Sequence, residues 1–289
     1  MDQEKMNIQW YPGHMTKTRR QIEADLKQVD AVCEIVDARI PISSRNPDID
    51  AICGSKPRIV ILNRMDLADP AATKQWAAYY KEKGMAAVAT DCKSKRGINE
   101  FQPAVRGLLK EKIARDAAKG MKRAVRVMVV GIPNVGKSTL INQISGRKGA
   151  KAENRPGVTR GKQWVNVDSG LLLLDTPGIL WPKFEDPEVG MALAYTGAVK
   201  EDVIDIEELA ARLMALLWKR YPQAVKDRYG VDMPEDALGY ELLEAAAKKR
   251  GFLMARGEIN TERMAKVLVD EYRSGKLGRF TLELPEDTV

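Results

Sequence analysis

Two patterns of apolar spacing divide the 289-residue chain. Apolar-rich stretches near 31–37, 57–62, 85–90, 125–130, 163–168 and 171–175 suggest strands. Segments with apolar residues at helical spacing, such as 70–83 and 97–112, separate most of them. That alternation predicts an α/β fold with a mostly parallel sheet covered by helices. After residue 184 the strands stop. "DIEELAARLMALLWKRYP", "DALGYELLEAAAKKRG" and "NTERMAKVLVDEYRSG" have helical periodicity with stops at Pro222, Gly251 and Gly275, which predicts a small all-α C-terminal domain. The expected division is an α/β domain over 1–184 with an N-terminal extension at 1–30, a linker at 185–202 and a helical domain at 203–289.

The candidate chemistry lies where apolar runs end. "VRVMVVGIPNVGKSTL" carries G-x-x-x-x-G-K-[ST] from Gly131 to Ser138, between a predicted strand and a predicted helix. Gly131 and Gly136 let backbone N–H groups curl around a phosphate, and the helix start adds its positive end. Lys137 is placed to reach the outer phosphates and Ser138 to ligate Mg²⁺. The expected nucleotide contacts along this loop are Asn134, Val135, Gly136, Lys137, Ser138 and Thr139. Downstream, "GLLLLDTPGIL" is a buried strand ending at Asp175, a carboxylate for the Mg²⁺ shell, here expected to act through water. It is followed by Gly178, whose N–H can meet a γ-phosphate. Between the two motifs, "NRPGVTRGKQ" holds Thr159, read as a switch loop that closes on Mg²⁺; a plain turn before a strand is the alternative.

Base choice is written upstream. "PRIVILNRMD" ends a buried run with Asn63, Arg64, Met65 and Asp66. Asp66 can accept from both the N1–H and the amino group of guanine, a pair that adenine lacks, and Asn63 can meet the opposite ring edge and brace the loop. GTP is therefore expected over ATP.

Composition narrows the setting. The first ten residues, MDQEKMNIQW, lack the apolar core of a signal peptide, and no apolar run approaches the about 18 residues of a membrane span. Cys33, Cys53 and Cys92 have no metal-ligand spacing and read as reduced thiols, so a cytoplasmic setting without membrane contact is expected. Net charge is +7, unevenly placed: residues 203–289 hold 14 basic and 16 acidic residues. Lys110 to Arg126 holds seven basic and two acidic residues, and Arg147 to Lys162 six and one, which suggests a polyanionic partner; for the first stretch, a solvated helix face is an equal alternative.

Taken with "WYPGHM", "DARIPISSRNP" and "YRSGKLGRFTLE", these motifs resemble the ribosome biogenesis GTPase A (YlqF) family, whose Ras-type domain is circularly permuted so that the base-recognition half precedes the phosphate half. The resemblance covers essentially the whole chain. It implies a circularly permuted P-loop GTPase domain and an assembly factor for the large ribosomal subunit. Such a factor binds the precursor particle, through rRNA and ribosomal proteins, in the GTP state and leaves on hydrolysis. A particle-stimulated GTPase using GTP/GDP, Mg²⁺ and K⁺ follows from it; a monomer is expected. Arg64 stands where the family usually has Lys and can lay its stem and planar head over the base in the same way. The second base-contacting loop falls at "ATDCKSKRG", giving Asp91, Cys92 and Lys93, where the chain departs from the family pattern.

Ras-like enzymes orient the attacking water with a glutamine just after Asp-x-x-Gly; here that position is Ile179. His14, the single histidine, is the expected replacement, alongside Lys137 as the second catalytic group; contact with RNA phosphate beside Lys17, Arg19 and Arg20 is the alternative. The resemblance assigns Asn134 to a K⁺ ion near the phosphates, and simple turn chemistry is the other reading. A nucleotide-gated RNA-binding module with little hydrolysis is the competing function.

Overall fold

The structure is a computed structural model that describes residues 15–146, 163–168, 170–176, 186–199 and 205–288. Its described residues form two compact units, one drawn from residues 15–176 plus 283–288 and one spanning Asp186–Leu282.

The first unit is a six-stranded sheet. Its strands are β1 (Ala31–Asp37), β2 (Arg58–Asn63), β3 (Ala86–Ala89), β4 (Val125–Gly131), β5 (Gln163–Asp168) and β6 (Leu171–Asp175), in spatial order β3-β2-β1-β4-β6-β5. All neighbours pair in parallel except β5, which runs antiparallel to β6. Every residue of β1 is buried, as the central strand of a sheet covered on both faces must be. Val32 and Val36 share one face. The first packs with Ile22 and Leu26 of α1 (Met15–Leu26) and with α2 (Ile49–Cys53). The second packs with Trp76 and Tyr80 of α3 (Pro70–Glu82). Because β1 pairs on one side with β2 and on the other with β4, the C-terminal ends of the base-recognition and phosphate halves are brought together.

The α3 start matches its sequence signal: Asp69 accepts from Ala71 N at 2.7 Å and Ala72 N at 3.3 Å, ahead of Pro70. The single helix expected at 97–112 is instead a 3₁₀ turn (Ile98–Glu100), α4 (Phe101–Leu108) and α5 (Lys110–Ala118), broken at Leu109 (φ −105°, ψ 16°). Gly107 in the last turn of α4 weakens the helix there. The phosphate loop leads into α6 (Lys137–Ser145). Residues 283–288 return to this unit. The Glu283 carboxylate accepts from Ile42 N at 2.6 Å, Ser43 N at 3.0 Å and Ser43 Oγ, and its carbonyl accepts from Trp76 Nε1 at 2.8 Å.

The second unit is helical: α7 (Pro187–Tyr195), α8 (Ile206–Arg220), α9 (Pro222–Tyr229), α10 (Gly239–Lys249) and α11 (Thr261–Ser274). The stretch expected as a linker thus contains α7, capped by Asp186 and opened by Pro187. Pro222 does stop α8, but it is also the first residue of α9, a position where its missing N–H costs nothing. Leu213, Leu217, Leu242, Leu243, Leu268 and Tyr272 supply the buried core. Among the described residues no helix is long and apolar enough to cross a membrane.

Buried Glu271 of α11 joins three elements. It accepts from Arg228 Nε at 2.9 Å, Arg228 Nη2 and Tyr229 Oη at 2.9 Å, with Arg250 at 3.6 Å. The Arg228 hydrogen bonds, against burial, hold its carboxyl below the usual range. The stabilisation is therefore present above the unfolded glutamate value of about 4.3 and is lost as pH falls through the lower folded value. Glu271→Gln should cost about 2 kcal/mol at pH 7, the scale of hydrogen bonds to a charged group. In thermal unfolding followed by circular dichroism, its gap from wild type should close as the pH is lowered towards about 3; a gap of constant size would contradict this role.

Candidate active site

The site lies where β1, β2, β4 and β6 end. Asn63, the last residue of β2, is buried with both ends of its amide hydrogen-bonded. Nδ2 donates to Val135 O of the phosphate loop at 2.7 Å, while Oδ1 accepts from Thr90 Oγ1 at 3.2 Å and Cys92 N at 3.3 Å. One side chain thus ties the phosphate loop to both base loops. Arg64 follows in the left-handed region (φ 61°). Its Nη2 donates to Asn134 O at 2.7 Å and its Nε lies 3.6 Å from Asp37 Oδ2.

Asp37 and Arg39 underlie this arrangement. Both are buried, and Arg39 Nε and Nη2 donate to the two Asp37 oxygens at 3.0 and 2.7 Å. Burial alone would raise the Asp37 carboxyl, but the Arg39 guanidinium, with Arg64 beyond it, holds it below the ordinary aspartate range. A lasting negative charge at the end of β1 therefore positions Arg64. Removing either member of such a buried pair leaves the other uncompensated.

In the phosphate loop Asn134 (φ 62°) and Gly136 (φ 102°) both have positive φ, a backbone form that gathers N–H groups into an anion-binding concavity. Asn suits this conformation better than most side chains, so the turn-chemistry reading of Asn134 describes its backbone. At Gly136 a Cβ would run into Asn63 Nδ2, and at Gly131 it would meet Ile35 O at 3.0 Å and Val135 Cγ1 at 3.1 Å. Lys137 opens α6 and is buried; its Nζ donates to Asp175 Oδ1 at 2.5 Å and to Thr176 O. Thr176 Oγ1 donates to Val129 O at 2.7 Å, which pins the exit of β6 to β4. Half-buried Ser138 and Thr139 follow in the first turn of α6.

Asp66 lies half-buried in the turn after β2 and makes no hydrogen bond to a described residue. The Asp91 carboxylate, by contrast, is engaged in its own turn, accepting from Lys93 N at 2.9 Å, Ser94 N at 3.3 Å and Ser94 Oγ. Cys92 contributes its backbone N–H to Asn63, and burial pushes its thiol up to about 11. The structure therefore brings together Asn63, Arg64, Asp66, Asp91, Cys92, Asn134, Val135, Gly136, Lys137, Ser138, Thr139 and Asp175. His14, Thr159 and Gly178 lie outside the described residues, as does Ile179. Sequence reasoning passed over Thr90 and gave Asp37 and Arg39 no role; the charged "DAR" closing an apolar strand was the available signal for the last two.

A buried ammonium beside a helix start, with glycines where no Cβ fits, suits a nucleotide's phosphates. The Ser138 hydroxyl and Asp175 carboxylate are hard oxygen ligands of the kind Mg²⁺ takes.

Fold and loop geometry define a P-loop GTPase. A family model described as "50S ribosome-binding GTPase" matches residues 126–222. Ribosome biogenesis GTPase A of Bacillus cereus is 49% identical over 98% of this chain and 95% of its own length. The Thermotoga maritima protein of the same name is 32% identical over 97% and 95%. Among solved structures, GNP-bound YlqF from T. maritima is 29% identical, covering 94% of this chain and 99% of that one, with a TM-score of 0.59. A GDP-bound TM YlqF gives 0.62 at the same identity, with 93% and 100% covered. The chain belongs to the ribosome biogenesis GTPase A family. It binds guanine nucleotide and hydrolyses GTP.

Gly136→Ala should weaken GDP binding by at least about tenfold. Left-handed backbone costs an L-residue about 1–2 kcal/mol, and tenfold corresponds to about 1.4 kcal/mol, before the collision with Asn63 is counted. A fluorescent-nucleotide titration checks it; unchanged affinity would show that the loop can yield without cost.

Proposed function

We propose that this GTPase is an assembly factor for the large ribosomal subunit, binding the precursor particle in the GTP state and leaving when hydrolysis reorders the switch loops. The carrying observation is the buried junction in which Lys137 is bonded to Asp175 while Asn63 and Arg64 hold the same loop from the base side. Such a junction senses both the base and the outer phosphates. The large-subunit destination draws on the description of the matching family model and the names of the relatives.

In this reading Asp66 accepts from the guanine edge, Arg64 covers the base, and Asp91 and Cys92 shape the second base loop. Asn134 through Thr139 cradle the phosphates, with Gly178 meeting the γ-phosphate. Ser138, Thr159 and, through water, Asp175 would hold Mg²⁺, which neutralises charge developing between the outer phosphates. Asn134 would hold K⁺, supplying positive charge in place of an arginine finger. Lys137 stabilises charge on the transferred group, and His14 orients or deprotonates the attacking water. rRNA and ribosomal proteins of the precursor are the partners, met by the basic residues near the switch motifs in the sequence and by the helical domain. The protein works as a cytoplasmic monomer whose particle stimulates turnover.

GTP turnover in potassium buffer, with and without purified large subunits, tests this for wild type and His14→Ala. Stimulation of about 10³-fold or more is expected for wild type, the range seen when a missing catalytic group is completed. It should be lost in His14→Ala with GTP and subunit binding unchanged, and reduced when sodium replaces potassium. Equal stimulation in both proteins removes His14 from the chemistry. Absence of stimulation in either overturns the particle as activator, and slow turnover under every condition favours the nucleotide-gated binding module.

A further inference from the structure

Four non-glycine residues among those described have positive φ: Arg64, Lys95, Asn134 and Arg256. The first three shape the loops of the nucleotide site. Arg256 does not; it sits at the tip of a tight hairpin between α10 and α11. Asn260 N donates to Phe252 O at 2.8 Å and Met254 N to Glu258 O at 2.8 Å, and the turn is completed by Arg256 (φ 75°) and Gly257 (φ 80°). An arginine held where glycine is preferred costs about 1–2 kcal/mol.

Leu253 and Met254 are 56% and 49% exposed. Leu238 and Tyr240 at the start of α10 are exposed as well, so the tip differs from the rest of the unit's surface in the charge that surrounds its apolar side chains. Residues 248–263 carry five basic and two acidic side chains, whereas the rest of 203–289 carries nine basic and fourteen acidic. Arg250 is drawn in towards Glu271 and the Tyr229 ring, and Arg263 lies 4.4 Å over the Phe252 ring. Lys248, Lys249 and Arg256 are exposed and have no carboxylate partner among the described residues. Of the nearby acidic groups, Glu262 is paired with Lys266, leaving Glu244 and Glu258.

Resting on the RNA-binding part of the proposed function, we infer that the 252–259 hairpin is an RNA-contacting tip. Lys248, Lys249 and Arg256 meet phosphates, and Leu253 and Met254 pack on an unstacked base or sugar face. Two exposed apolar side chains are far short of the about 800 Å² per partner of a stable protein interface. Concentrated positive charge instead suits RNA phosphates, and in single-stranded or looped RNA the unstacked bases are open to contact beside them.

The test uses the full-length protein and purified large-subunit rRNA, titrated over a range of salt. Combining Lys248→Ala, Lys249→Ala and Arg256→Gly should weaken binding and flatten the slope of log K against log salt by about 2, at about 0.7 per phosphate contact on single strands. Leu253→Ser with Met254→Ser should weaken binding with the slope kept. Arg256→Gly alone should unfold no earlier than wild type, and GDP binding should be unchanged throughout, which separates a lost contact from a damaged fold. Wild-type binding whose affinity and slope ignore these changes overturns the inference and leaves the proposed function standing. Loss seen only on phosphatidylserine vesicles assigns the tip to lipid and also overturns it. Failure of the wild type to bind rRNA removes the RNA-binding reading and the inference together.

Discussion

The Asn63 amide is the fixed point of the nucleotide site. It gives one hydrogen bond to Val135 O and takes two, from Thr90 and Cys92, so three loops separated by up to 72 residues share a single buried group. Loss of the Val135 contact would leave the buried Nδ2 without an acceptor, at about 1–3 kcal/mol. The loops therefore hold one another in place. Arg64 repeats the linkage one residue further out, to Asn134 O, and Asp37 with Arg39 fixes the charge that Arg64 leans towards.

This cross-linking is what a permuted chain requires. The base-recognition strands come first and the phosphate strands last, so chain order does nothing to hold the two halves of the site in register. The parallel pairing of β1 with β4 does so in the core, and Asn63 with Arg64 does so at the rim. The join between the halves is α5 and the turn beyond it. Its basic stretch is partly neutralised: Lys112 and Arg123 both reach Asp30 and Asp116, stapling the join to the start of β1. Lys110, Arg115, Lys119 and Lys122 remain exposed, as a solvated face would leave them.

Strands β1, β2, β4 and β6 were legible because each is a nearly continuous apolar run that the sheet buries, a pattern with little ambiguity; edge strand β5, QWVNVD, is half-exposed and shows only short alternation. The phosphate motif was legible because its glycines answer to backbone geometry alone. Breaks inside helical patterns were harder. Leu109 interrupts a segment whose apolar spacing continues through it, and Pro222 is both an end and a beginning, which local sequence does not distinguish. The roles of Thr90, Asp37 and Arg39 depend on which strand ends meet in space. The return of 283–288 rests on one carboxylate finding two backbone N–H groups some 240 residues away, which leaves no periodic trace in the sequence.

Amide hydrogen exchange across Gly131–Ser138, compared between wild type and Asn63→Ala without nucleotide, tests the brace most directly. If Asn63 holds the phosphate loop, its loss should speed exchange there by about tenfold, the equivalent of about 1.4 kcal/mol of local opening, with the helical unit unaffected. Exchange across the loop that is unchanged by Asn63→Ala would contradict it.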